Sequence, residues 1–328
     1  MTAVLILTNS LDNPHVEAVS QYIDSESNRI IRIDTDLLIQ GQCSISFNYS
    51  NGSILYRHSE ETIDLRSVDS VWYRKPFGFS QTYGFLESIQ DPIQRSIVDK
   101  EIHDVLNGLC FLLRDKFWIN HPSSIHTARI KPYQLSIAKR IGLPMPDTLI
   151  TSDPDAARQF CLEAPTVFKP VSVSSLDLDD TGYMIETTLM TDDLIDSLGL
   201  IKSQPIILQR FIRKTSELRV TCIGKQIFVA RQIPQEKTSG TVDWRSLQDS
   251  GSRYVIDYVL PEDIERKVRS LLTSLGLGFA AIDFAIDEIG DLHFLEANPN
   301  GQWLGYTDEI GLPAAAHMAC CLVEKSLL

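Results

Sequence analysis

The chain is short of positive charge: 30 Lys and Arg stand against 43 Asp and Glu, a formal net charge of -13 over 328 residues. That balance opposes association with nucleic acid or an anionic membrane surface. No apolar run approaches the roughly 20 residues of a membrane span, and the first residues lack the basic region and small-residue cleavage site of a signal peptide. The six cysteines (Cys43, Cys110, Cys161, Cys222, Cys320, Cys321) include no C-x-x-C pair. They are expected as reduced core residues of a cytoplasmic protein. Also absent are G-x-x-x-x-G-K-S/T, H-E-x-x-H and G-x-S-x-G, so a P-loop, a zincin site and a serine hydrolase elbow find no support. Gly276 to Ala281 fits G-x-G-x-x-A, but it leaves a helix and enters a strand, the reverse of the order that aims helix N–H groups at a pyrophosphate. No internal repeat or low-complexity segment is present.

What is there reads as a packed protein of two or three units, with 43% hydrophobic residues, 17 Gly and 15 Pro. A strand over Thr2 to Thr8, a helix opened by Asn13-Pro14 and reaching about Ile23, and a strand from Arg29 to Asp34 make a β-α-β start. Asn51-Gly52 predicts a hairpin between Cys43 to Tyr49 and Ser53 to Arg57. A strand over Ser70 to Lys75 is stopped by Pro76, and a long helix runs from about Asp91 to Arg114. Next come a helix from about Ser124 closing at Gly142, a strand at Thr148 to Thr151, a helix capped by Asp153-Pro154 and a strand at Thr166 to Lys169. Val171 to Asp180 reads as a Ser/Asp-rich loop and Gly182 to Met190 as a strand. Ile206 to Phe211, Leu218 to Ile223 and Gln226 to Ile233 read as one antiparallel set.

The stretch around which the chemistry gathers is Ile282 to Trp303. Ile282 to Asp287 and Leu292 to Asn298 alternate apolar and polar residues on either side of the turn Glu288 to Asp291, a β-hairpin pattern. A four-residue turn sets Asp283 opposite Glu296 and places Phe294, Glu296 and Asn298 on one face. Two apposed carboxylates repel; a divalent cation removes the conflict, and Asp, Glu and an Asn carbonyl are the hard oxygen ligands that magnesium takes. The alternative is an acidic surface hairpin with solvated carboxylates. Lys169 ends an apolar strand before Pro170, where an ammonium needs an anionic partner; an edge-strand lysine is the alternative. Lys131 lies on a helix beside Pro132. Arg219 and Arg231 alternate with apolar neighbours on adjacent strands, where their planar forks suit phosphate oxygens; strand-surface salt bridges are the alternative.

Lys131, Lys169, Gln209-Arg210-Phe211-Ile212, Glu217-Leu218-Arg219-Val220, Arg231, Asp283 and Glu296-Ala297-Asn298-Pro299 occur in the order expected of an ATP-grasp ligase. Val71-Trp72-Tyr73-Arg74-Lys75-Pro76, Val242-Asp243-Trp244-Arg245 and Asn300-Gly301-Gln302-Trp303 narrow the likeness. With these, the chain resembles the ATP-grasp maturases of ribosomal peptides that close ω-ester or ω-amide rings, the microviridin-type graspetide macrocyclases. The resemblance implies an α/β chain with the α+β ATP-grasp fold: an N-terminal pre-ATP-grasp domain over 1–120, a central subdomain over 121–205 and a C-terminal subdomain over 206–328 that bears the metal site. It implies ATP and Mg2+ as cofactors. Lys131 and Lys169 would hold the α- and β-phosphates, Gln209 and the backbone of Phe211 and Ile212 the adenine, and Glu217 the ribose. Arg219 and Arg231 would steady the γ-phosphate and an acyl phosphate, and Asp283, Glu296 and Asn298 would carry magnesium. The implied partner is a ribosomal precursor peptide, leader plus core, with a homodimer as a candidate assembly. Trp72, Tyr73, Arg74 and Lys75 offer an aromatic and cationic surface for it, or else core packing and a solvated pair. The stretch Val171 to Asp180 departs from the glycine-rich phosphate loop of many ATP-grasp enzymes. Two further readings share the nucleotide residues: a ligase adding free amino acids to a peptide or small acid, and a non-catalytic nucleotide-binding protein that docks a precursor.

Overall fold

The computed structural model describes residues 1–77, 86, 89–172, 175–178, 181–233 and 253–327, and the side chains of 175–178 and 181–184 are outside that description. The motif Val242 to Arg245 therefore lies outside the described residues.

Strand β1 (Thr2–Thr8), helix α1 (Asn13–Ser20) and strand β2 (Asn28–Asp34) form the expected β-α-β unit, and β1 pairs with β2 in parallel. After α2 (Thr35–Ile39), strands β3 (Cys43–Asn48), β4 (Ser53–His58) and β5 (Glu61–Asp64) make a separate antiparallel sheet. Its first turn needs Gly52, which sits at φ +71°. Strand β6 (Ser70–Tyr73) pairs with β1, helix α3 (Pro92–Leu112) starts at its Asp91 cap, and β7 (Phe117–Ile119) completes a parallel sheet in the order β2-β1-β6-β7.

One long helix was expected from Ser124 to Gly142; there are two, α4 (Pro122–Arg129) and α5 (Lys131–Ile141). Pro132 is the cause. Its ring and missing N–H are compatible only with a first turn, so Ile130 leaves the helical region, at ψ 97°, and Lys131 opens a new helix. Strand β8 (Thr148–Thr151), helix α6 (Pro154–Glu163) and strand β9 (Thr166–Lys169) follow as read from the sequence. The Ser/Asp-rich stretch is not all loop: β10 (Ser175–Leu178) pairs with β11 (Thr181–Met184). The single strand expected to Met190 breaks into β11 and β12 (Thr188–Leu189), followed by α7 (Asp192–Asp196).

Strand β13 (Ile206–Arg210) pairs with β8 and β9, in the sheet β12-β9-β13-β8. It does not join the antiparallel set with the two strands after it, because residues 211–213 carry the chain across to another sheet. That sheet, β16-β15-β14-β17-β18, is built from β14 (Lys214–Ile223), β15 (Gln226–Ile233), β16 (Arg253–Val255), β17 (Phe279–Asp287) and β18 (Leu292–Asn298). Helix α8 (Glu262–Leu275) turns Ile264, Val268, Leu271, Leu272 and Leu275 inward, the spacing of one helix face, and packs with α5 against Leu218, Val220, Ile282, Phe284 and Phe294. Helix α9 (Ala314–Glu324) closes the chain: Ala315, Met318 and Leu322 pack against Val4, Ile6 and Trp72 of the parallel sheet and against Phe279 and Ala281 of the five-stranded one. The two sheets therefore share a core, and the last helix is the wedge between them.

Candidate active site

Asp283 and Glu296 are register partners, as the hairpin pattern requires, but the route differs. Ile286 lies opposite Leu292 and Phe284 opposite Phe294, a register that by itself would bring Leu295 to Asp283. An extra residue at Leu295 shifts the pairing by one between Phe284 and Asp283. Phe294 consequently faces the apolar core with Phe284, whereas Glu296 turns to the face of Asp283. The expectation that Phe294 and Glu296 share a face is corrected by this bulge. Asn298, opposite Ala281, returns to the face of Asp283.

Three charges are neutralised on this face. Arg219 Nη1 donates to both carboxylate oxygens of Asp283, at 2.7 and 2.9 Å, and its Nη2 donates to the carbonyl of Gln302 at 2.7 Å. Lys131 pairs with Glu296. Lys214, which the sequence reading did not single out, pairs with Glu217. Burial raises the Glu217 carboxyl above the usual range and the charge of Asp283 adds to this, while Lys214 and Lys169 pull it down. Lys169 Nζ donates to Gln209 Oε1 at 2.8 Å, and Gln209 Nε2 donates to Thr148 Oγ1 at 2.9 Å, so Gln209 is a buried brace for the lysine. Phe211 N–H is used by the Pro165 carbonyl at 2.9 Å, leaving its own carbonyl and the Ile212 backbone as the polar groups of that pair.

Arg231 is not brought to this set. Its register partner is Leu218, which points into the apolar core, and its Nε donates to Asp257 Oδ1 at 2.8 Å. Alternation puts Arg219 and Arg231 on opposite faces of the sheet. Tyr254 and Tyr306 take the room beside Arg219: they meet edge to face at 4.7 Å between centroids, and the Arg219 guanidinium lies 5.1 Å from the Tyr306 ring. With Glu217, Gln232 and Asp283 they line a small cavity. Nothing in local spacing singled out either tyrosine, because each comes from an element remote in sequence from β14.

In the motif Val71 to Pro76, Val71, Trp72, Arg74 and Pro76 are buried, and Tyr73 and Lys75 are half-buried. Trp72 is 3% and Arg74 1% exposed. Arg74 Nε lies 2.7 Å from Asp12 Oδ2, and its Nη1 donates to the Gly301 carbonyl at 3.0 Å. The expectation of a peptide-docking surface at Trp72 and Arg74 is therefore not met; burial of the tryptophan in the shared core forbids it. Burial, with the charges of Arg74 and Arg219 beside it, pushes the Lys75 ammonium down to about 6, against a smaller opposing pull from Asp12.

The donor set suits a hard divalent cation: two apposed carboxylates and an amide, all oxygen donors on one face, with Asn298 Oδ1 oriented by the Asn300 N–H at 3.0 Å. Among the described residues no group of three or more His, Cys, Asp and Glu could hold a metal, so a site here depends on the amide as its third donor. Also among the described residues, no helix is long and apolar enough to cross a membrane.

Residues 3–126 match the family model of the MvdD pre-ATP grasp domain. No curated protein matches the chain. Among solved structures, the Chryseobacterium gregarium RiPP-associated ATP-grasp ligase, in complex with ADP and a leader and core peptide, is 25% identical with a TM-score of 0.88, over 99% of this chain and 98% of that one. The macrocyclase MdnC from Microcystis aeruginosa, bound with precursor peptide MdnA, is 27% identical with a TM-score of 0.85, over 99% of this chain and 100% of that one. The D-alanyl-alanine synthetase A of Vibrio cholerae, 12% identical with a TM-score of 0.57 over 99% of this chain and 98% of that one, shares the fold alone. The chain has the ATP-grasp ligase fold, its residues 3–126 match the MvdD pre-ATP grasp domain, and end to end it is similar to a RiPP-associated ATP-grasp ligase and to a macrocyclase.

Proposed function

We propose that this chain is an ATP-dependent carboxylate ligase that activates Asp or Glu side chains of a ribosomal precursor peptide and closes macrocycles, as esters with Ser or Thr or as amides with Lys. The observation that carries the reading is the apposition of Asp283 and Glu296 on one sheet face, each already paired with a cation, Arg219 or Lys131. End-to-end likeness to a ligase seen with ADP and peptide and to a macrocyclase seen with its precursor supports the substrate class. In this reading 1–120 is the pre-ATP-grasp domain, and 121–205 and 206–328 are the two ATP-grasp subdomains. A homodimer is the assembly it allows.

A peptide carboxylate attacks the γ-phosphorus of ATP in line, giving an acyl phosphate and ADP; a hydroxyl or amine then attacks the acyl carbon and expels phosphate. Lys131 and Lys169 hold the α- and β-phosphates. Glu217 accepts from the ribose, and Phe211 and Ile212 with the Gln209 brace meet the adenine. Arg219, aimed by Asp283 and the Gln302 carbonyl, steadies the transferred phosphoryl group; Arg231, on the other face, has no part. Asp283, Glu296 and Asn298 would hold magnesium, which would supply charge neutralisation for the phosphate oxygens. The contribution of the chain is positioning and preorganised charge.

The test is to incubate the enzyme with Mg-ATP and a short Thr/Ser- and Asp/Glu-rich peptide encoded beside its gene, and to weigh the peptide. Each ring removes one water, a loss of about 18 Da with one ADP formed. A gain of a residue mass with a free amino acid would replace this reading by an amino-acid-adding ligase. ATP bound but never turned over would leave a docking protein.

A further inference from the structure

The strand end that bears Glu296 and Asn298 runs along the edge of its sheet, where one side of the backbone lacks a partner strand. Three buried side chains from outside the sheet take that role. Gln134, from α5, donates Nε2 to the Ala297 carbonyl at 2.7 Å and accepts from the Ala297 N–H at 2.9 Å. Asn120, just after β7, donates Nδ2 to the Pro299 carbonyl at 2.9 Å and to the Phe279 carbonyl at 2.8 Å, and its Oδ1 accepts from the Gly278 and Phe279 N–H groups at 2.7 and 3.0 Å. Arg74, just after β6, donates to the Gly301 carbonyl at 3.0 Å and to Gln302 Oε1 at 2.5 Å. The carbonyls gripped are alternate ones, 297, 299 and 301, and the three side chains are 2%, 3% and 1% exposed.

Burying a guanidinium costs several kcal/mol that one carboxylate only offsets, so apolar residues would pack this seam at least as stably. What polar grips supply, and apolar packing does not, is a fixed backbone path. Asn298 and Arg219 both depend on that path: the Asn298 amide is oriented by the Asn300 N–H, and Arg219 donates to the Gln302 carbonyl. We propose that Arg74, Asn120 and Gln134 are positioning residues, a three-point clamp that sets Glu296, Asn298 and Arg219 for phosphoryl transfer. The inference rests on the function proposed above and adds to it that the pre-ATP-grasp domain builds part of the active site through Arg74 and Asn120.

Arg74→Lys keeps a charge for Asp12 and loses the fork. Amide hydrogen exchange over 295–303 is expected to rise about tenfold while that of β1 and β2 stays put. Turnover is expected to fall about tenfold or more, with KM for ATP within about twofold. Gln302→Ala, which removes one acceptor at a half-buried position, should show the same pattern more weakly, and it decides the matter if Arg74→Lys does not fold. Wild-type exchange over 295–303 in the folded variants overturns the clamp. So does turnover that falls only in proportion to the folded fraction. If the wild-type protein forms no ADP with any peptide, the ligase reading fails while the exchange measurement still decides whether these side chains fix the strand end.

Discussion

Replacing Gly301 by Ala places a methyl group in a gap that does not exist. A Cβ built on Gly301 lies 2.8 Å from Ala281 Cβ, 3.1 Å from Arg219 Nη2 and 3.3 Å from Asn298 Cβ. Carbon atoms in ordinary contact sit at about 3.5–4.0 Å, so the segment must retreat from β17 by roughly 0.7–1.2 Å. It cannot do so freely, because Arg74 holds the Gly301 carbonyl and Ala281 belongs to a buried strand. Overpacking of this kind costs about 1–3 kcal/mol, and each kcal/mol lowers the melting temperature by about 1–2 °C in a chain of 328 residues. The retreat also carries the Gln302 carbonyl away from Arg219, and a misplacement near 1 Å costs about a hundredfold in a reaction that depends on positioning. Thermal unfolding together with peptide-dependent ADP formation measures both effects. A variant that melts with the wild type and turns over at its rate would refute the close approach of this loop to Arg219.

Arg219→Lys retains one charge and loses the two-nitrogen grip on Asp283 and Gln302; turnover should drop by about tenfold or more with ATP affinity nearly unchanged, and a collapse of affinity with full turnover at saturation would place Arg219 at the nucleotide instead. His15 titrates below its ordinary 6.5: burial and the charges of Arg74 and Lys75 lower it, against the hydrogen bond and charge of Asp12. An unfolded chain therefore takes up a proton near pH 6.5 that the folded one refuses, and the stability due to this site is complete above pH 6.5 and lost as pH falls below it. His15→Gln should flatten the decline in melting temperature between about pH 7.5 and 5.5, and an unchanged decline would assign it to other groups.

Local chemistry alone determined much of this protein. The β-α-β start, the Asn51-Gly52 hairpin, the Asp91 and Asp153 helix caps and the apposition of Asp283 with Glu296 all follow from neighbours in sequence, since alternation, turns and caps are short-range effects. The rejection of Gly276 to Ala281 as a dinucleotide loop was legible for the same reason: Gly276 ends α8 at φ +65° and the chain then enters β17. Even there the register was reached through a bulge at Leu295 that no pattern announced, and Pro132 divided a helix that periodicity had joined.

Tertiary structure decided which charges meet. Arg219 and Arg231 look alike as sequence, each flanked by apolar residues on neighbouring strands, and only the pairing of β14 with β15 puts them on opposite faces. Trp72 and Arg74 looked available to a peptide; the wedge of α9 between two sheets buries the first, and the loop 300–302 takes the second. Asn120, Gln134 and Arg74 are separated from the carbonyls they hold by 159 residues or more. Contacts of that span leave no local signature, because a hydrogen-bonding side chain carries the same propensity whether its partner is water or a distant backbone.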